Sequence, residues 1–88
     1  MIHIGSLIKE VFAKQPKSHT VNWFAQQLHC RRGNIYDIFN RATIDTELLV
    51  RISRILDHDF FEDLSEHINS ELNINNVDSE DVRKDHTE

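Results

Sequence analysis

Residues 21–40 read VNWFAQQLHCRRGNIYDIFN, which is the pattern of two short helices joined by a tight turn. Helices that cross closely need a small side chain where they approach each other, and Ala25 occupies that position. Ile35, on the second helix, is predicted to pack back against Ala25. The apolar residues that hold the two helices to a core are Phe24, Leu28 and Ile38. This segment therefore predicts a closely crossed helix pair.

A further helix is predicted before the pair. Its apolar residues recur at helical spacing on one face, namely Ile4, Leu7, Ile8, Val11 and Phe12. Pro16 ends this helix, because the residue before a proline is biased out of the helical region. Ser18 and Thr20 then offer hydroxyl groups as N-caps for the first helix of the pair. His29 and Cys30 form the predicted turn within the pair.

Two more helices are predicted after the pair. Residues 42–46 form a short polar connection in which Asp45 can cap a fourth helix. The apolar stripe of that helix comprises Leu48, Leu49, Ile52, Ile55 and Leu56. Asp59, with Glu62 three residues later, has the spacing of a capping box at the start of a fifth helix. The apolar residues of the fifth helix are Phe60, Phe61 and Leu64, with Ile68 and Leu72 continuing the stripe.

The charge is unevenly distributed along the chain. The net charge is −5, yet residues 1–64 hold eight Lys or Arg and eight Asp or Glu, so the whole excess lies in residues 65–88. No acidic residue lies between Glu10 and Asp37. A basic middle and an acidic end distinguish this chain from a uniformly acidic protein. We expect one domain over residues 1–72 and an acidic, disordered tail over residues 73–88.

Composition also excludes several classes of protein. A chain of 88 residues is too short for a large catalytic framework, and its single cysteine, Cys30, excludes an internal disulfide and a cysteine zinc site. The six histidines have no metal-ligand spacing, and no phosphate loop, nucleophile elbow or paired-carboxylate pattern occurs. We therefore expect no enzyme, no cofactor and no metal. Without a long apolar run or a signal peptide, we expect a soluble cytoplasmic protein that does not enter a membrane.

On residues 21–40, the chain resembles the helix-turn-helix of the phage-repressor and Cro family, of the xenobiotic-response-element type. The resemblance extends over residues 4–64, because Leu49, Ile52, Leu56, Phe60 and Leu64 match that family's last two helices. It implies an all-α, compact, five-helix lambda-repressor-like domain. The chain departs from the family at His29, where the family has glycine in a left-handed turn, at Arg31, where it has a Ser or Thr cap, and at Phe39, where it often has a charge. Histidine tolerates positive φ better than most residues do.

The resemblance also implies which residues read DNA. In the family, the second helix of the pair enters the major groove and its N-terminal residues reach base edges. By position, the helix at about 31–41 carries this role here, and the base-reading candidates are Arg32, Gly33, Asn34, Tyr36 and Asp37. Arginine suits a guanine edge and asparagine an adenine edge, through two hydrogen bonds each. Glycine reads no base but permits close approach of the backbone.

Other polar residues are candidates for contacts with DNA phosphates, which position a protein on the duplex without reading its sequence. These residues are Lys14, Lys17, Asn22, Arg31, Asn40 and Arg41. Several candidates also have structural interpretations. Asp37 can form a helix ion pair with Arg41, Trp23 can pack partly buried against the first helix, and Cys30 can serve as a small buried residue of the turn.

The function predicted from these residues is sequence-specific binding of double-stranded DNA by a transcriptional regulator. A homodimer is expected, because one short helix reads few base pairs and the family spans two half-sites about 34 Å apart. The apolar stretch Phe60, Phe61, Leu64, Ile68 and Leu72 is the expected dimer surface. The alternative is a protein-interaction module or an antitoxin-type protein, whose acidic tail binds a basic partner.

Overall fold

The computed structural model describes residues 2–75. This part of the chain contains five α-helices and no strand, which confirms the predicted all-α class for the described residues. The helices are α1 (Ile4–Ala13), α2 (Val21–Leu28), α3 (Arg32–Phe39), α4 (Thr46–Leu56) and α5 (Phe60–Asn75). The predicted domain boundary after residue 72 falls inside α5. Of the predicted tail over residues 73–88, residues 73–75 belong to α5, and residues 76–88 lie outside the described residues.

Short polar side chains cap the starts of α2, α4 and α5. The Thr20 hydroxyl accepts a hydrogen bond from the Trp23 amide at 3.1 Å, and the Asp45 carboxylate accepts one from the Leu48 amide at 2.8 Å. Asp59 accepts hydrogen bonds from the first-turn amides of α5, at Phe61 and Glu62. Each bond satisfies an amide that has no partner within its own helix. The caps predicted at Thr20, Asp45 and Asp59 are confirmed, and of the two candidates before α2 the cap is Thr20, not Ser18.

The turns after α2 and α4 both use the left-handed backbone region. His29 has φ 57° and Asp57 has φ 54°, and each ends its helix. Histidine and aspartate enter this region more easily than branched or bulky residues do, so both turns form without glycine. At His29, the chain reverses sharply enough for α3 to begin at Arg32.

One apolar core joins all five helices. Its fully buried large side chains are Phe24, Phe60, Ile8, Ile35, Ile52 and Leu56. Ala25 and Ile35, the pair expected at the α2–α3 crossing, are both buried in this core. Phe39 is also buried, with its ring centroid 5.8 Å from that of Phe12 and 6.5 Å from that of Phe24. Phe39 therefore enlarges the core.

The N-terminus of α1 docks against the C-terminal end of α3. The Ile4 amide donates to the Ala42 carbonyl at 3.0 Å, and the Gly5 amide donates to the Arg41 carbonyl at 2.8 Å. A Cβ at Gly5 would lie under 3.0 Å from the main-chain oxygens of Ile38, Phe39 and Arg41, so only glycine allows this approach. The contact fixes the end of α3. Over residues 2–75, no helix has both the length and the apolarity needed to cross a membrane.

Candidate nucleic-acid interface

The outer face of α3 carries the predicted base-reading residues. Ile35, Ile38 and Phe39 are buried, so α3 is anchored along one side. All five candidates on the other side are exposed, namely Arg32, Gly33, Asn34, Tyr36 and Asp37. Residues three and four apart are neighbours on a helix surface. The candidates therefore form one continuous exposed face.

The first turn of α3 has no side-chain cap. Arg31 occupies the cap position with φ −84° and ψ 155°, but its side chain makes no capping hydrogen bond. A helix start leaves amides without intrahelical partners, and these amides attract anions. An exposed arginine beside free amides makes this end of α3 electropositive. Arg31 therefore lies at the electropositive start of α3.

Arg32 and Tyr36 contact each other along α3. The Arg32 Nη2 donates to the Tyr36 hydroxyl at 3.3 Å, and the Arg32 Cζ lies 5.9 Å from the centre of the Tyr36 ring. The tyrosine is 45% exposed. The i,i+4 spacing in the sequence is a signal that predicts such a contact.

Gly33 and Asp37 are open to solvent on the same face. A Cβ built on Gly33 meets no atom within 4 Å, so nothing inside the protein requires glycine there. Asp37 does not form the helix ion pair with Arg41 that was one interpretation of it. Among residues 2–75, the close contacts between a carboxylate and a basic side chain join His58 to Asp63 and His67 to Glu71, and neither includes Asp37.

The phosphate candidates lie on several segments. Asn40 is the C-cap of α3, and Arg41 follows it. Lys14 is the C-cap of α1, and Lys17 lies in the connection to α2. In that connection, the Gln15 side-chain amide donates to the Leu56 carbonyl at 3.0 Å, which ties the segment to the end of α4. The structure thus places the two lysines on a segment that is tied to the end of α4.

Asn22 is exposed in the first turn of α2, next to the Thr20 cap. Its neighbour Trp23 is partly buried, as expected, and its ring stacks on that of His19 at 3.7 Å between centroids. His19 in turn hydrogen-bonds to the Gln15 side chain at 3.0 Å. The tryptophan therefore packs on the connection after α1. This stack holds the segment that carries Lys17.

The sequence interpretation missed two residues that position the helix pair. Arg51 on α4 donates from Nη2 to the Leu28 carbonyl at 3.1 Å, which holds the last turn of α2 beside the turn into α3. Gly5 allows the close approach of α1 to the end of α3. Neither role has a local signal, because the partners are distant in sequence. Cys30 in the turn is partly buried against the core.

A second surface lies on α5, and we name it the α5 groove. It is an apolar groove of 520 Å³ whose lining includes Ile2, Ile44, Phe61, Leu64 and Ile68. Ile68 is 53% exposed, and Leu72, further along α5, is 39% exposed. Phe60 was expected on this surface, but it is fully buried in the core. Its side chain is therefore not available to a partner.

Within residues 2–75, no three potential metal ligands come together. Comparisons of the chain with family models, curated proteins and solved structures gave no match. The surfaces that bear on function are the exposed face of α3 and the α5 groove.

Proposed function

We propose that this protein binds double-stranded DNA in a sequence-specific manner and regulates transcription, with α3 in the major groove. The observation that carries the proposal is the division of α3 into two faces. Its inner face is buried in the core through Ile35, Ile38 and Phe39, while its outer face presents only polar side chains, a tyrosine and a glycine. A rigidly held helix with this outer face suits the major groove, which is wide enough to admit an α-helix.

The outer face offers chemistry that distinguishes bases. Arg32 can donate two hydrogen bonds to guanine, and Asn34 can pair with the edge of adenine. Asp37 has no ion-pair partner within the described residues and can accept a hydrogen bond from the amino group of cytosine. Gly33, with open space around it, lets the main chain of α3 approach the duplex.

Basic and amide groups outside this face supply the contacts to phosphate. Arg31 lies at the uncapped start of α3, and Arg41 lies just beyond its end, so the two flank the base-reading residues. Further contacts along the phosphate backbone of the DNA would come from Lys14, Lys17 and Asn22. Phosphate contacts of this kind supply affinity that falls steeply as salt concentration rises.

The test of this function is selection from a pool of random duplex DNA. Enrichment of a defined site, and of an inverted repeat in particular, supports a dimeric regulator. A pool that remains random after several rounds contradicts sequence-specific binding.

Substitutions in the protein, tested on the enriched site, separate base contacts from phosphate contacts. Arg32→Ala is expected to weaken binding to the selected site by about 1–3 kcal/mol and to relax specificity at one base pair. Lys17→Ala should weaken binding to all sequences alike and lower the slope of log affinity against log salt by about one. Fluorescence anisotropy with selected and scrambled duplexes measures both. If Arg32→Ala weakens binding to both duplexes equally, Arg32 contacts phosphate and not a base.

We propose that the regulator is a homodimer that pairs through the α5 groove and the exposed end of α5. Two copies related by a twofold axis would cover Ile68 and Leu72 on both protomers. Ile68→Asp should weaken self-association at least about tenfold, because a carboxylate would be buried in an apolar contact. Asn69→Asp, which adds the same charge at an exposed neighbour, is the control. Sedimentation equilibrium checks the outcome, and equal effects of both variants would exclude this surface.

A protein-interaction module is the second candidate, and the α5 groove favours it. An exposed apolar groove can hold a partner protein as well as a second copy of the chain. The acidic end of the sequence, as in an antitoxin-type protein, would then attract a basic partner. Failure to enrich any DNA site, together with a monomeric protein in solution, would favour this candidate.

A further inference from the structure

Tyr36 differs from the other candidates on the outer face of α3 because its ring is held by the core. The ring meets that of Phe39 edge to face, with 6.3 Å between centroids and 85° between planes. Phe39 is only 7% exposed and belongs to an aromatic cluster with Phe12 and Phe24. Edge-to-face packing of this kind is a favoured aromatic geometry. One side of the Tyr36 ring therefore packs against the buried Phe39 ring, although nearly half of the residue is exposed.

The other side of Tyr36 holds Arg32. The tyrosine hydroxyl accepts a hydrogen bond from the Arg32 Nη2 at 3.3 Å, and the guanidinium carbon lies 5.9 Å from the ring centre, within reach of a cation–π attraction. A free arginine side chain loses rotamer entropy when it is ordered. A side chain already held in place loses less of that entropy on binding.

We infer that Tyr36 is a positioning residue for Arg32, so that it sharpens recognition of the base pair that Arg32 reads without itself reading a base. The inference rests on the proposed function and revises the assignment of Tyr36 to base reading. A buried phenylalanine holds the tyrosine ring, and the tyrosine holds the guanidinium. Arginine has five N–H donors, and Tyr36 engages one Nη group. The remaining donors are enough for two hydrogen bonds to one guanine.

Two variants separate the hydroxyl from the ring. Tyr36→Phe keeps the ring and removes the acceptor, and Tyr36→Leu removes both. On the selected duplex, we expect the preference for the base pair read by Arg32 to fall about twofold in Tyr36→Phe and about fivefold in Tyr36→Leu. Affinity for scrambled duplex should stay unchanged in both, because no phosphate contact is lost.

The decisive comparison repeats both substitutions in the Arg32→Ala background. If Tyr36 acts only through Arg32, neither substitution changes base preference there. A loss of preference that persists without Arg32 means that Tyr36 touches DNA itself, and it overturns the inference. Circular dichroism of each variant confirms that the helices are retained before binding is compared.

A measurement on the free protein keeps this inference separate from the proposed function. Nitrogen-15 relaxation of the Arg32 Nε–H group reports how strongly its side chain is ordered. We expect a lower order parameter in Tyr36→Leu than in the unsubstituted protein, with Asn34→Ala, an exposed neighbour, as the control. An unchanged order parameter refutes the positioning role. If the protein selects no DNA site, the proposed function fails, and this measurement still tests whether Tyr36 holds Arg32.

Discussion

Gly5 and Gly33 are the only glycines of the sequence, and their surroundings are opposite. Gly5 lies against main-chain oxygens at the end of α3, where backbone atoms cannot move aside cheaply. Gly33 has open space around it. One glycine therefore serves the packing of the protein, and the other leaves room for a partner. Their positions in the sequence do not distinguish them, because both lie in the first turn of a helix.

The contrast between the two glycines gives a matched pair of substitutions. Gly5→Ala should destabilise the fold by about 1–3 kcal/mol, because the added methyl group forces α1 away from α3. Gly33→Ala should leave stability unchanged or raise it by a few tenths of a kcal/mol, since alanine favours helix. Urea denaturation followed by circular dichroism measures both. If the Gly5→Ala variant is as stable as the Gly33→Ala variant, α1 does not lie as close to α3 as the structure places it.

Arg51 and Gln15 show why some contacts escape prediction from sequence. Arg51 lies 23 residues from its acceptor at Leu28, and Gln15 lies 41 residues from its acceptor at Leu56. Such pairs meet only once the helices have docked. The Arg32–Tyr36 contact is different, because its four-residue spacing is visible in any helix.

The α2–α3 pair is the element on which the candidate interface depends. Periodicity and capping residues predicted both helices because helical hydrogen bonds join residues four apart, so a short window of sequence contains the relevant information. The left-handed turn at His29 was expected from the resemblance, although the residue is not glycine. The missing cap at Arg31 followed from its side chain, which has no hydrogen-bond acceptor.

A buried charge at the crossing tests the placement of the pair. Ala25→Glu puts a carboxylate at a residue that is 4% exposed, which should cost several kcal/mol in a domain whose total stability is about 5–15 kcal/mol. Gln26→Glu places the same group on the exposed side of α2 and should be nearly neutral. Thermal denaturation followed by circular dichroism compares the two. A normal midpoint for Ala25→Glu would show that Ala25 does not lie at the crossing.

Across the whole molecule, the strength of the proposed DNA binding depends on the balance of charge. Residues 76–88 contribute −3 of the total −5, with five acidic and two basic residues. They show no apolar periodicity, and they lie outside the described residues. An anionic segment joined to a basic surface competes with phosphate, and this competition weakens as salt shortens the Debye length, about 10 Å at 0.1 M.

Truncation after Asn75 is therefore expected to leave the thermal midpoint nearly unchanged and to strengthen non-specific DNA binding at low salt. The gain should fade as the salt concentration rises, and specific binding should improve less because base contacts carry part of it. Anisotropy titrations over a salt series, together with a melting curve, measure both effects. Unchanged affinity at low salt would exclude competition by these residues, and a lowered midpoint would assign them a structural role.

Helix number, helix type, the caps at Thr20, Asp45 and Asp59, and the apolar face of each helix could be read from the residues alone, because each depends on neighbours within one or two turns. Tertiary packing decided the rest. It buried Phe60 while leaving Ile68 exposed on the same helix, and it placed Gly5 against the end of α3. It also set the ring of Tyr36 on Phe39. Helical periodicity specifies a face, but how far that face is covered depends on which distant helices dock against it.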